Sequence, residues 1–343
     1  MLTPVWRVLN LPPMTPERLH FSSLVVDMHC DTILAHISGE RDITRRSRRG
    51  HLDLPRLVLG GVKVQVFALF PNPKSLKPGE FDRFVMNGCR VIKKICVQNR
   101  NRVGLALSPD GLKRIVRSGR IAIVIGVEGG HAVEGDLSRL KRWFKAGVRV
   151  LTLTWCNSNE LADASWDKNQ PHQGLSALGK RAVRLMNRLG MIVDVSHAAE
   201  RTFYQVVDLS TAPVIASHSG VYVLRKHNRN LKHQQLAILT QQGGVMGQVF
   251  LPSFLHSNPK RASVDDVLRS IDYVVQRFGP GVVGFGSDFD GFSGSLKGLE
   301  DVTRLPEITR GLVKMGYTET DIKKILGLNF VRVWEGVWAA RAG

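Results

Sequence analysis

The sequence predicts a TIM-like (β/α)8 barrel, an α/β fold of eight parallel strands each followed by helix, and three observations carry the prediction. Eight apolar, β-branched runs of strand length alternate with stretches of helical periodicity. The runs are almost continuously apolar, as strands of a parallel sheet covered by helices must be. Histidine and acidic residues recur at the C-terminal ends of these runs, the face on which barrels of this kind carry their active sites.

In chain order the runs are Leu24 to Asp31, Val62 to Phe70, Ile121 to Gly129, Val148 to Trp155, Met191 to His197, Pro213 to His218, Gly244 to Leu251, and Val282 to Asp288. Between them the periodicity predicts helices over Phe81 to Arg100, Leu137 to Ala146, Ala177 to Leu189, Gln234 to Gln241 and Val264 to Phe278. A last helix is expected from Thr318, with Thr318 and Asp321 as its capping pair and Gly327 as a point of interruption. Residues 1–343 therefore read as one barrel domain with an N-terminal extension, 1–20, and a C-terminal helical segment, 318–338. No linker rich in Pro, Gly or Ser and no short repeat divides the chain.

A length of 343 residues suits this fold, since such barrels use about 250 residues or more as one unit. With 43% hydrophobic and 22% charged residues, the chain can bury a substantial core, which excludes a disordered protein. It contains no apolar run of the roughly 18 residues that a membrane span needs, and Met1 to His20 carries prolines and charges where a secretory signal would be apolar. A cytoplasmic protein without a membrane anchor is the expectation. Cys30, Cys89, Cys96 and Cys156 are scattered, which excludes a disulfide scaffold and a cysteine-rich zinc site. The net charge of +19 is concentrated in Arg45-Arg46-Ser47-Arg48-Arg49 and between Arg90 and Arg120. Such a field can attract nucleic acid, anionic lipid or acidic substrates. Without aromatic residues interleaved in the arginine cluster it reads as a solvated surface, and no specific nucleic-acid partner is expected.

His29 and Asp31, Glu128, His197, His218 and Asp288 stand at the ends of five different runs, so the fold would aim all of them at one spot. His29 and Asp31, two apart on a strand, point the same way and can reach one ion together. His and carboxylate ligands without Cys suit Zn2+ or a similar first-row ion held for catalysis. Glu128, followed by two glycines that allow a tight turn, is the candidate bridge between two ions. Two metals about 3.5–4 Å apart can share a hydroxide at neutral pH and polarise a carbonyl, which is hydrolytic chemistry without a nucleophilic side chain. Asp288 is placed to take the proton and pass it to a leaving amine. Asp290 shares its parity and competes for that role.

At these residues the sequence resembles the membrane dipeptidase (renal dipeptidase) family, peptidase family M19 of the amidohydrolase superfamily, from about Val26 to Trp334. The motifs are Asp27-Met28-His29-Cys30-Asp31, Gly50-His51-Leu52-Asp53-Leu54-Pro55-Arg56-Leu57, Glu128-Gly129-Gly130-His131, Asp194-Val195-Ser196-His197, Ser217-His218-Ser219, Arg229-Asn230-Leu231 and Gly286-Ser287-Asp288-Phe289-Asp290-Gly291. The resemblance implies that His29 and Asp31 bind one zinc, His197 and His218 the other, and that Glu128 bridges them. It implies further that Asp288 handles the proton and the substrate's amino group while Arg229 receives the substrate's carboxylate, a task to which a planar guanidinium is suited.

Two positions depart from the family pattern. Trp155 stands where vertebrate members carry a His that helps polarise the scissile carbonyl, so either Asn157 or Asn159 takes over or the rate and substrate differ. Near strand seven, Val249-Phe250-Leu251-Pro252-Ser253-Phe254 offers no counterpart of the Tyr that assists carboxylate binding, which leaves Arg229 alone in that role. The expectation is thus a zinc-dependent dipeptidase acting on small dipeptides, with a homodimer left open. Two other readings stay beside it: a two-metal amidohydrolase for another amide, a lactone or an N-acyl amino acid, and a catalytically silent basic binding protein.

Overall fold

Runs of β-branched residues buried on both faces can satisfy their backbone N–H and C=O groups only against one another. The computed structural model describes residues 15–341, and its strands are β1 (Val25–Cys30), β2 (Val62–Leu69), β3 (Val103–Leu105), β4 (Ile121–Glu128), β5 (Val148–Thr152), β6 (Ile192–Asp194), β7 (Ile215–Ser219), β8 (Val245–Gln248) and β9 (Val283–Phe285). Neighbours pair in parallel in the order β2-β1-β9-β8-β7-β6-β5-β4-β3. A further pairing of β2 with β4, from Val64 against Ala122 to Leu69 against Val127, closes the sheet into a barrel.

Eight of the nine strands make the barrel and fall in the eight predicted runs. The extra one, β3, pairs with the first half of β4, whereas the second half of β4 pairs with β5. Its Val-Gly-Leu run is too short for periodicity to reveal. The five predicted helices form as Phe81–Gln98, Ser138–Ala146, Ala177–Leu189, His233–Gln241 and Val264–Phe278. Serine caps start two of them, Ser176 accepting from the Gly179 N–H and Ser263 sharing a capping box with Asp266.

The C-terminal segment is helical on both sides of a break. Thr318 accepts from the Asp321 N–H at 3.1 Å and opens the helix Glu319–Lys323. The helical path is interrupted at Gly327, where an added Cβ would lie 2.1 Å from the Leu24 carbonyl oxygen, and resumes as Asn329–Ala339. Of the expected N-terminal extension, residues 1–14 lie outside the described residues; beyond them a short helix, Pro16–Ser22, is tied to the rest by His20, whose Nδ1 lies 2.7 Å from Thr309 Oγ1.

Val26, Met28, Val64, Val66, Ala122, Val124, Val150, Ile192, Ile215 and Val245, drawn from seven barrel strands, meet in one buried cluster closed by Phe330, Val333, Trp334 and Val337. Arg332 fixes that last helix beneath the strands by donating to the carbonyls of Gly243 and Gly281, just ahead of β8 and β9. The N-terminal end of the barrel is therefore plugged, and its C-terminal end is left for a site. Among the described residues no helix is long and apolar enough to cross a membrane.

Candidate metal centre

The side chains singled out in the sequence gather where the strands stop. His29, Glu128 and His218 lie within β1, β4 and β7, whereas Asp31, His197 and Asp288 stand just past β1, β6 and β9. The sequence runs those strands through to their ligands, and the backbone shows why they end sooner. His197 (φ 68°) and Asp288 (φ 60°) adopt the left-handed conformation, which breaks a strand ladder. Of five non-glycine residues with positive φ among the described residues, three are His197, Asp288 and Asp290. Such backbone strain persists where a functional geometry requires it. His29 and Asp31 converge, though not by strand parity alone: the register of β1 on β2 slips between Asp27 and Cys30, and the Asp31 N–H bonds to the Phe289 carbonyl at 2.9 Å.

Glu128 sits at the middle. Its Oε2 is 3.7 Å from His29 Nε2, while its Oε1 is 2.9 Å from His197 Nε2 and 3.4 Å from His218 Nε2. One oxygen faces each group. Three sets of potential ligand atoms, each set within 4.8 Å, result: His29, Asp31 and Glu128; Glu128, His197 and His218; His29, His218 and Asp288.

Beneath the candidate ligands lie two aspartates whose roles the sequence reading passes over. Ser217 Oγ donates to Asp194 Oδ2 at 2.6 Å and accepts from His218 Nδ1 at 2.8 Å, which leaves His218 Nε2 without a proton and free to ligate. Asp194 also accepts from Thr152 Oγ1 and from the N–H groups of Ser196 and Ser217. Asp27 does the same under His29, accepting from the His29 and Ser287 N–H groups, Ser287 Oγ and Gln65 Nε2. Asp27 could be found from its place two residues before His29, but nothing local marks Asp194, which supports His218, twenty-four residues further along the chain, through Ser217.

The donor set fits divalent cations. His29 Nε2 and Asp31 Oδ1 are buried without a hydrogen-bond partner in the protein, which is costly unless something else pairs them. Burial and the neighbouring charge of Glu128 push the Asp31 and Asp288 carboxyls well above the ordinary carboxylate range. Burial would raise Glu128 too, but His29 and the hydrogen bond with His197 hold it below its ordinary value. Burial also drives His197 and His218 strongly down, so both imidazoles are neutral, the form that binds metal. A Cβ on Gly291 would come 2.3 Å from Asp288 Oδ1 and 2.4 Å from Asp31 Oδ2, so only glycine leaves these carboxylates room.

Asp288 and Asp290 part company here. Asp290 Oδ2 accepts from Arg41 Nη2 at 2.6 Å and from Thr32 Oγ1, and its Oδ1 accepts from the His51 N–H at 2.8 Å. Although burial opposes it, these contacts hold Asp290 far below the ordinary range, which removes it as a proton carrier at neutral pH. Both aspartates line a cavity of about 320 Å3 with Glu128, His197, His218 and Arg229, but among the described residues only Asp290 has its carboxylate hydrogen-bonded by the protein. Arg229 is 3% exposed, donates from Nη2 to the His218 carbonyl at 3.2 Å, leaves Nε unpartnered and has its guanidinium carbon 5.5 Å from the centre of the Phe254 ring. Among the described residues it is the only Lys or Arg lining that cavity.

Trp155 lines the same cavity, its ring 4.7 Å from that of Phe70. Neither asparagine offered as its substitute reaches the cavity. Asn159 uses its amide on the Leu153 carbonyl and its oxygen on the Leu161 N–H, and Asn157 donates to the Ser158 carbonyl. After β8, where the family pattern has a tyrosine, Leu251 and Phe254 form the wall.

The sequence model described as Membrane dipeptidase (Peptidase family M19) matches residues 15–342. The chain is 35% identical over 295 residues to the protein named Dipeptidase tcpJ of Claviceps purpurea (strain 20.1), covering 83% of this chain and 68% of that one. Its structure resembles that of the probable dipeptidase PvdM from Pseudomonas aeruginosa, with a TM-score of 0.85, 26% identity and coverage of 95% and 98% of the two chains. It also resembles a metallo peptidase from Rhodobacter sphaeroides, solved with a phosphinate mimic of the dipeptide L-Ala-D-Ala, with a TM-score of 0.83, 27% identity and coverage of 92% and 100%.

Proposed function

The chain belongs to the membrane dipeptidase family, peptidase family M19, and on that premise we propose that it hydrolyses free dipeptides with two divalent ions, Zn2+ by the chemistry of the donor set. The observation that supports this most directly is one cavity with Glu128 between two ligand groups and a single buried arginine. In this reading His29 and Asp31 hold one ion, His197 and His218 the other, and Glu128 bridges. What the ions supply when bound is an activated water at neutral pH and polarisation of the scissile carbonyl.

The protein's own residues do the rest. Arg229, buried and without an acidic partner among the described residues, pairs with the substrate's α-carboxylate and so sets the register of the peptide bond. Asp288 attracts the α-amino group and carries the proton to the departing amine. What suits it to that task is its place on the cavity wall with a carboxylate that the protein leaves without a hydrogen bond. Phe70, Trp155, Trp166 and Phe254 wall the cavity with apolar surface, which excludes water and strengthens these charge contacts. With Trp155 in place of a protonatable side chain, that position offers carbonyl polarisation only a neutral N–H.

Elemental analysis of the purified, zinc-reconstituted protein should find about two ions per chain, and a chelator should remove the activity. A panel of free dipeptides, L-Ala-D-Ala among them, set against N-acyl amino acids, lactones and C-terminal amides tests the substrate class. Free dipeptides should be turned over fastest; equal rates for the blocked compounds would replace the dipeptidase by a broader amidohydrolase.

A further inference from the structure

Between β5 and the helix Ala177–Leu189 the chain makes a long excursion over the rim, and it carries Trp166 to the mouth of the cavity that Glu128, Asp288 and Arg229 line. Trp166 is 48% exposed, and of the ten large hydrophobic residues exposed among the described residues it alone lines that cavity. Its backbone is pinned there. Ala164 pairs with Ala198, and the Ser165 N–H donates to the His197 carbonyl at 2.8 Å. On either side, Asp163 accepts from the N–H groups of His172 and Gly174, and Asp167 from those of Ser158 and Asn169. The indole is therefore held in a fixed place relative to a candidate metal ligand, as a residue that positions substrate must be.

The ring contacts say which end of the cavity it serves. The indole lies edge-on to Phe254, with ring centres 6.4 Å apart, and 5.5 Å from the ring of His227. Phe254 is also the ring that the Arg229 guanidinium overlies at 5.5 Å. The other aromatic pair of the cavity, Phe70 and Trp155, follows β2 and β5, the barrel neighbours of β4, whereas Phe254 follows β8, which stands across the barrel from β4. Two aromatic walls thus face each other, and Arg229 belongs to the wall that Trp166 completes. His227 adds no second charge there, since burial and the neighbouring Arg229 and Arg225 hold it down at about 4.

We propose that Trp166 is a specificity-determining residue: with Phe254 it forms a wall for an aromatic or large apolar side chain on the dipeptide's C-terminal residue. The inference rests on the dipeptidase reading, in which Arg229 holds the α-carboxylate. Carboxylate and side chain leave the same Cα, so a carboxylate at Arg229 brings the side chain beside the Phe254 ring and the indole packed against it. An apolar side chain there covers indole surface that otherwise meets water, and glycine leaves it wet. An acidic side chain finds no second Lys or Arg on the cavity wall once Arg229 is engaged.

The test assays the zinc-reconstituted holoenzyme with Ala-Gly, Ala-Phe and the reversed peptide Phe-Ala, in the wild type, Trp166→Ala and Trp166→Phe, at a position outside the buried core. We expect Ala-Phe to exceed Ala-Gly in kcat/KM by about ten- to a hundredfold, as burial of a benzyl group provides, mainly through KM. Trp166→Ala should cost Ala-Phe about three- to tenfold more than it costs Phe-Ala, the scale of one aromatic contact, and Trp166→Phe should restore most of that difference. A wild-type enzyme that cleaves Ala-Phe no faster than Ala-Gly overturns the wall. Equal losses for Ala-Phe and Phe-Ala in Trp166→Ala make Trp166 a packing residue, and a larger loss for Phe-Ala gives the wall to the N-terminal residue; either overturns the assignment. Should none of the three peptides be cleaved, the dipeptidase reading fails, and calorimetric titration with the uncleaved peptides decides the wall by itself. Tighter binding of Ala-Phe than of Ala-Gly that Trp166→Ala abolishes upholds it, and equal binding overturns it.

Discussion

The two ends of the barrel are made by the same strands and obey opposite rules. At the N-terminal end Val26, Val64, Val124 and Val150 meet Phe330 and Trp334, all buried in one apolar cluster. At the C-terminal end those strands lead into His29, Glu128 and neighbouring carboxylates, with left-handed backbone at His197 and Asp288 and buried polar atoms of His29, Asp31 and His197 that the protein does not pair, against the one indole N–H of Trp334 at the floor. The floor is where burial stabilises the fold; the rim concentrates groups whose partners come from outside, and its strain is tolerated because the floor holds the strands in place. The same contrast recurs at close range. Both line the cavity, but Asp290 is bonded on both oxygens whereas the protein leaves the carboxylate of Asp288, two residues away, without a hydrogen bond, and their pKa values move in opposite directions.

The contrast can be broken most severely at Asp288. Asp288→Asn should keep its metals and its melting temperature and lose about 10²–10⁴ in turnover, the range for a general acid–base group; near-normal turnover would transfer proton handling to solvent. At the other end of the barrel, Trp334→Ala should lower the unfolding free energy by about 3–5 kcal/mol, as for large buried aromatics, while kcat/KM of the folded fraction stays put. A fall in kcat/KM at constant fold would show that floor and rim are coupled.

A smaller effect sharpens the comparison within the rim. If Arg229 pairs with the α-carboxylate as proposed, Arg229→Ala should weaken kcat/KM for free dipeptides by about ten- to a hundredfold and leave C-terminal amides, which lack that charge, almost unchanged. Equal losses for both would make Arg229 a packing residue. The smallest effect belongs to Asp290. Its folded pKa is depressed, so its ionisation contributes stability that is complete above the unfolded value of about 3.9 and is lost as pH falls below it. Denaturant midpoints followed from pH 6 to pH 3, about the span that brackets that value, should fall more steeply in wild type than in Asp290→Asn; parallel profiles would mean that the Arg41 pair adds no stability.

Much of this was legible in the chain because it depends on local pattern. Eight of nine strands, five helices and the interruption at Gly327 followed from periodicity, caps and a glycine, and the candidate ligands followed from where polar residues end apolar runs. β3 escaped because three residues carry no period. The strand ends ran long in the sequence reading because no local signal announced the left-handed turns at His197 and Asp288, which the convergence of the whole rim imposes.

The sequence by itself determined the barrel, the residue types available to metal and the family to which the chain belongs, since each is written in composition, spacing and motif. Only the tertiary structure decided which of Asp288 and Asp290 is free, because the difference lies in Arg41, Thr32 and His51, more than two hundred residues away along the chain. It likewise showed that Asn157 and Asn159 are spent on their own loop. Identity is a property of a position in the chain, but whether a polar atom is paired depends on every segment that folding brings against it, and the chemistry of this rim lies in the atoms left unpaired.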